Sequence, residues 1–296
     1  MSGPTRHSHR ARLAEAPLAD ELLAGSLLYT SIQVVNQTGS TNADLLAAAR
    51  SGAAAGTVLV AEEQTAGRGR LDRSWQSELG ASLTFSVLLR PAGVPAGSLG
   101  WLPLLTGVAM VRALRAQTGL EISLKWPNDV LAGSAGAGAA RGSAAGGSAA
   151  GSSAAGGGGK LAGILAEQAG DAIVVGIGLN VSATESELPA GPATSLSLAG
   201  AADPDRQAIL VALLTELEHW YLRWSVGPRP GDAEACGLRA SYLQCCATIG
   251  RDVRVEMPGG KMLTGRAADV DGVGRLLVTA DDGVHAISAG DVVHVR

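Results

Sequence analysis

Apolar and polar positions along the chain follow two periods. Residues 27–35 alternate, and Thr57-Val58-Leu59-Val60-Ala61 is β-branched and apolar, so both predict strands. Between them, Gln37-Thr38-Gly39 turns the chain and a helix starts at 40–44, with Thr41 and Asp44 as a capping pair and Gly52 as its stop. In 81–90, Ser82, Thr84 and Ser86 alternate with Leu83, Phe85 and Val87, which predicts a strand with one polar, roomy face and one packing face. Residues 99–117 repeat apolar positions at three and four (Leu104, Val108, Val111, Leu114), as a helix requires. Residues 121–130 read as a strand broken by Trp126-Pro127-Asn128-Asp129, because proline removes a ladder donor and holds its predecessor extended. Two neighbouring strands follow over 160–167 and 172–181. Gly176 and Gly178 share one face of the second and leave a trough against the backbone, although bulges use the same pair. After an irregular stretch, Pro204 opens a helix over 205–224 whose stripe of Ile209, Leu213, Leu217, Trp220 and Trp224 suits core packing.

The pattern changes near Gln244. Short β-like runs over 253–257, 262–268, 276–279, 285–287 and 292–295 are separated by Pro258-Gly259-Gly260, Asp271-Gly272 and Asp281-Asp282-Gly283, which predicts a small barrel. Residues 133–159 are all Gly, Ala or Ser except Arg141, with GSAAG twice in tandem. Such a composition cannot offset the entropy of ordering, so a flexible, overgrown hairpin loop is expected there. The expected domains are a flexible N-terminus (1–26), a main domain (27–245, with the 133–159 insert) and a C-terminal domain (246–296).

Composition narrows the class. The hydrophobic fraction is 46% with a single Phe, so Leu, Val, Ile and the five tryptophans build the core. The net charge of −4, without acidic or basic blocks, argues against coating nucleic acid or an anionic membrane. Cys236, Cys245 and Cys246 are odd in number and lack a C-x-x-C spacing, as for reduced cytoplasmic thiols. The longest apolar run, 99–111, is too short for a membrane span, and the first residues lack a secretory signal. His7 and His9 suit a solvated terminus better than a metal site.

Candidate chemistry centres on Gly67-Arg68-Gly69-Arg70, followed by Arg73 and Trp75. Glycines let backbone bend closely around a ligand, and guanidinium forks match phosphate or carboxylate oxygens two at a time. Arg/Gly alternation also occurs in flexible nucleic-acid tails, but as long repeats. Ser40, Thr41 and Asn42 are explained by capping alone, or by a helix N-terminus that also holds polar ligand atoms. Lys125, Asn128 and Asp129 either share a cleft or form a plain turn with a surface ion pair.

Taken in order, Gly67-Arg68-Gly69-Arg70, Lys125-Trp126-Pro127-Asn128-Asp129, Lys160-Leu161-Ala162-Gly163 and Gly176-Ile177-Gly178-Leu179-Asn180 resemble the biotin–protein ligase (holocarboxylase synthetase) family, from about Leu27 to the C-terminus. The resemblance implies an α+β catalytic domain around a largely antiparallel mixed sheet flanked by helices, with an SH3-like barrel behind it. It implies ATP-dependent formation of biotinyl-5′-adenylate, then transfer to a lysine of a biotin carboxyl carrier domain of an acyl-CoA carboxylase, in the cytoplasm. Arg68, Arg70 and Lys160 are then expected to supply charge. Ser40, Thr41, Asn42, Gln64, Gly67, Gly69 and Gly163 are expected to surround biotin with them. Trp75 is expected on adenine, and Arg73, Lys125, Asn128, Asp129 and Asn180 near the nucleotide. Magnesium is expected to accompany ATP, with no strong all-protein ligand set in sight.

Two departures stand out. Fewer than forty residues precede Ser40, too few for the helix-turn-helix that makes some relatives repressors, and no basic recognition face is visible. The 133–159 insert replaces a short turn, which leaves Lys160 at the foot of a long loop. Lipoate–protein ligases share the expected fold, but the 125–129 motif and the arginine loop fit biotin better. The oligomeric state is left open.

Overall fold

A computed structural model describes residues 10–71, 73–133, 159–257 and 260–295. The insert at 134–158, His7, His9 and Pro258-Gly259 lie outside the described residues.

Strands β1 (Ser31–Thr38), β2 (Thr57–Gln64), β3 (Ser82–Leu89), β4 (Ile122–Lys125), β5 (Asp129–Ala132), β6 (Gly159–Ala169) and β7 (Ala172–Asn180) form one sheet in the order β1-β2-β3-β7-β6-β5-β4. Only β1 and β2 run parallel and every other pair is antiparallel, as a mixed, largely antiparallel sheet. The alternation in β3 divides its two faces. Leu83, Phe85, Val87 and Leu89 enter the main core with α1 (Glu15–Leu23), α3 (Trp101–Thr118) and α4 (Arg206–Ser225). Leu88 and Val174 meet α2 (Thr41–Arg50) on the opposite face. The polar side of β3 is buried rather than open: Thr84 Oγ1 donates to Ala61 O at 2.8 Å, and Ser86 bonds to α2. The apolar 96–118 stretch meets the length and composition of a membrane span, yet it is mostly buried inside the protein as a core helix.

Within the segment expected to be flexible over 1–26, the described residues from 10 onward pack against the main domain. Leu13, Leu18 and Leu22 fill the main core, and Glu62 accepts the backbone N–H of Leu13 at 2.6 Å. Leu18 and Leu22 lie four apart on one face of α1, a short stripe whose burial only the folded sheet supplies. Buried Arg206 sits 2.8 Å from Glu62 Oε2, an ion-pair contact without hydrogen-bond alignment.

Other boundaries move for reasons of pairing. β1 starts at Ser31 and runs through the expected turn to Thr38, because its ladder to β2 continues as far as Thr38 opposite Gln64. The cap of α2 is Ser40, not Thr41, which is already helical; Ser40 Oγ accepts from Ala43 N at 3.5 Å. The broken strand is a tight hairpin with Lys125 opposite Asp129 and a cis Trp126–Pro127 peptide. Ala132 lies opposite Gly159, so the strands flanking the insert are direct neighbours.

After α5 (Leu238–Cys245), which the sequence reading did not anticipate, β8 (Asp252–Glu256), β9 (Met262–Val270), β10 (Leu276–Ala280), β11 (Gly283–Ile287) and β12 (Asp291–His294) form an antiparallel sheet in the order β11-β10-β9-β8-β12. This second unit braces the hairpin of the first. Trp126 donates its backbone N–H to Thr248 Oγ1 at 3.1 Å and its indole N–H to Gly274 O at 3.2 Å, while the Trp101 indole donates to Gly272 O at 2.9 Å.

Candidate active site

The α2 face of the sheet carries a cavity of about 130 Å³, walled by the start of α2, the arginine loop, the β4–β5 hairpin, β6, β7 and the start of β12. Its lining brings together Ser40, Thr41, Asn42, Gln64, Arg68, Gly69, Arg70, Arg73, Trp75, Lys125, Asn128, Asp129, Lys160 and Gly163. Two expected residues stand apart. Gly67 lines the outer recess beneath the loop, and Asn180 lines an adjoining recess with Trp75 and Lys160.

The loop between β2 and β3 closes on itself. Trp75 N donates to Gly67 O at 2.8 Å, Gly69 N donates to Arg73 O at 2.7 Å, and Leu71 takes a positive φ of 54° at the tip. A Cβ on Gly67 would lie 2.5 Å from the Trp75 carbonyl oxygen, so this close backbone approach requires glycine. The two arginines reach different partners. Arg70 donates to Asn128 Oδ1 at 3.1 Å, and burial lowers its pKa while Asp129 and Asp291 oppose that shift. Arg68 lies half-exposed, 4.0 Å from Glu167.

Arg73 pairs with Asp291 of β12 at the rim of the same cavity, and that hydrogen bond raises its pKa. Lys160 is held firmly despite the neighbouring insert. Its backbone bonds to Pro192 O at 2.5 Å and to Thr194 N at 2.9 Å, and its Nζ lies 2.7 Å from Asp129 Oδ1.

The glycine trough is already occupied by side chains of the chain itself. Trp75 lies on Gly163 and Gly178, with its indole N–H lacking a partner among the described residues. Asn42 lies on Gly176, where a Cβ would sit 2.1 Å from Asn42 Oδ1. The Asn42 amide is bonded within the protein: Nδ2 donates to Leu165 O at 3.2 Å and Glu167 Oε2 at 2.8 Å, and Oδ1 accepts from Ser86 at 2.6 Å. Sequence reasoning missed Glu167 and Asp291 as site residues and read Ser86 only as part of a polar face. The polar alternation of β3 was the available signal for Ser86; nothing local marks the other two.

The chain matches the Biotin/lipoate A/B protein ligase family over residues 34–182 and the Biotin protein ligase C terminal domain over 248–295. It is 43% identical over 292 residues to the biotin–[acetyl-CoA-carboxylase] ligase of Mycobacterium tuberculosis, covering 97% of each chain. It is 28% identical to the bifunctional ligase/repressor BirA of Bacillus subtilis, covering 93% of this chain and 76% of that one. Among solved structures, the biotin protein ligase from Aquifex aeolicus in complex with biotin and ATP superimposes with a TM-score of 0.68 at 27% identity, covering 90% of this chain and 100% of that one. A cavity built from the four ordered motifs, with a matching catalytic domain and a matching C-terminal domain, places this chain in the biotin/lipoate A/B protein ligase family.

Proposed function

We propose that this chain is a biotin–protein ligase, which activates biotin with ATP and passes the biotinyl group to a lysine of a biotin carboxyl carrier domain in the cytoplasm. The observation that carries this reading is the pattern of donors and acceptors at the start of α2. The Ser40 hydroxyl only accepts, from Ala43 N at 3.5 Å, and keeps its hydrogen for a ligand. Gln64 Oε1 takes the Thr41 backbone N–H at 2.8 Å, which leaves Nε2 as a donor. The Thr41 hydroxyl donates to Gln64 Oε1 at 3.1 Å and lies 2.7 Å from Ser86 Oγ, whose own hydrogen goes to Asn42 Oδ1, so only the Thr41 lone pairs are on offer. Donors beside an acceptor complement a cyclic urea, with its carbonyl oxygen between two N–H groups. The dithiolane ring of lipoate has neither.

In the first step a biotin carboxylate oxygen bonds to the α-phosphorus of ATP and pyrophosphate leaves. In the second, the carrier amine bonds to the biotinyl carbonyl carbon, AMP leaves and the amine loses a proton. Neither step needs a covalent nucleophile from the protein; positioning and positive charge suffice. Arg68, Arg70 and Lys160 supply that charge, and Asn128 orients Arg70. Trp75 and Asn180 border the recess assigned to the nucleotide. Magnesium would arrive on the ATP phosphates and keep most of its water.

The test is pyrophosphate release from ATP with biotin, with lipoate and with neither, followed by biotin transfer to an acetyl-CoA carboxylase carrier domain. Release that depends on biotin alone supports the reading. Release with lipoate at comparable efficiency overturns it.

A further inference from the structure

Residues 11–13 form a strap whose backbone is fixed to the main sheet. Buried Arg206 donates to Ala11 O at 2.6 Å and to Ser82 O at 3.1 Å, and its ion-pair partner Glu62 accepts Leu13 N at 2.6 Å, which ties the strap to β2 and β3. From this strap Arg10 extends to the stretch that follows β7. It donates to both carboxylate oxygens of Glu187, at 3.1 and 2.8 Å, and to Ser182 O at 3.1 Å. A guanidinium fork on a carboxylate fixes geometry as well as charge. With 21% and 25% of the two side chains exposed, the pair is shielded enough to hold that geometry, unlike an open surface pair. The stretch that Arg10 holds walls the recess assigned to the nucleotide: Pro189 and Ala193 line it with Trp75, Lys160 and Asn180. Its far end is anchored at Lys160, which bonds to Pro192 O and Thr194 N. Between the anchors, among the described residues, 185–191 are hydrogen-bonded to the rest of the chain only through Thr184 and Arg10.

We propose that Arg10 is a positioning residue for ATP: by clamping Glu187 it holds the 184–193 stretch in place as a wall of the nucleotide recess before the nucleotide arrives. The inference rests on the biotin-ligase reading and adds a residue far outside its motifs. A wall that leaves its place part of the time admits productive binding only in the remaining fraction, and the apparent affinity falls by that fraction. The effect is confined to one substrate. Ser40, Thr41 and Gln64 line the main cavity, not this recess, and none of them bonds to the 184–193 stretch, so biotin affinity does not depend on the clamp.

The test uses the full chain and measures biotin-dependent pyrophosphate release, varying ATP and biotin separately, for the parent, Arg10→Ala, Arg10→Lys, Glu187→Ala and the double alanine variant. Arg10→Ala is expected to raise KM for ATP about tenfold, with KM for biotin and kcat each within about twofold of the parent. Arg10→Lys recovers part of the loss, because an ammonium keeps the charge but not the fork. Glu187→Ala gives the same ATP defect from the other side of the bond, which keeps the test decisive if the first variant does not fold. The double variant is expected to be no worse than either single one, as for two halves of one interaction. A merely structural role would lower kcat through loss of folded protein and leave both KM values alone. That result overturns the clamp, as do additive losses in the double variant or an unchanged KM for ATP in both single ones. A parent that releases no pyrophosphate with biotin and ATP overturns the functional reading itself and the clamp with it.

Discussion

Trp75 lies so close to Gly178 that a Cβ on the glycine would sit 2.3 Å from indole Cε2. β7 cannot retreat, because it is hydrogen-bonded to β3 on one side and β6 on the other. The indole must therefore move when the glycine gains a side chain. Gly178→Ala is expected to raise KM for ATP about tenfold and to cost about 1–3 kcal/mol of stability through overpacking. Steady-state kinetics and urea unfolding check both; an unchanged KM for ATP separates Trp75 from the nucleotide.

Lys160 and Asp129 form an ion pair that is partly open to solvent, so its weight in stability is small. Its weight in turnover is expected to be large, because charge on the transferring phosphoryl group needs a cation in place. Lys160→Gln should lower biotin-dependent pyrophosphate release at least about 100-fold. The thermal midpoint should move by less than about 4 °C. A variant that retains turnover removes Lys160 from the charge-supplying role.

Arg70 ties the glycine loop to the β4–β5 hairpin through Asn128. Biotinyl-adenylate is a reactive mixed anhydride that must be kept from water and stray amines, and a loop clamped by a phosphate-binding arginine does this. Arg70→Gly should still form the adenylate but release it early. Incubation with biotin, ATP and an unrelated lysine-rich protein should label that protein in proportion to its concentration. Labelling equal to the parent at equal adenylate output leaves Arg70 as a phosphate contact only.

Glu187 is held at about 2 instead of its ordinary 4.5, chiefly by the side-chain hydrogen bond from Arg10. A carboxyl depressed in the folded state contributes stability above its unfolded value and loses it as pH falls towards the folded one. Its contribution should therefore fade between about pH 4.5 and pH 2. Arg10→Ala should flatten the acid limb of the stability curve in that window and leave its shape at neutral pH unchanged. Urea midpoints measured across the range decide it; parallel acid limbs for parent and variant assign the shift elsewhere.

Much of the site could be read from the chain because its motifs are local. Two glycines and two arginines in four positions mark a close-bending loop with forks for phosphate or carboxylate oxygens, and Trp126-Pro127-Asn128-Asp129 marks a hairpin tip that carries polar groups. The short strands of the C-terminal unit announced themselves through turn residues at close spacing. The segment before β1 was not legible: α1 has few apolar residues, and their value appears only against a sheet built from residues further along the chain.

The sequence by itself determined which groups this protein can use: the arginine forks, the lysine, the hydroxyls at the start of α2 and the glycines that bare the sheet. Their periods and turn signals act over a few residues, within reach of backbone sterics. The tertiary structure alone decided which way those groups are turned. Asn42 meets Glu167 across 125 positions of chain, and Arg73 meets Asp291 across 218. Hydrogen-bond direction depends on both partners at once, so no local pattern encodes it; it arises only when the folded chain brings α2, β6, β7 and β12 to one cavity.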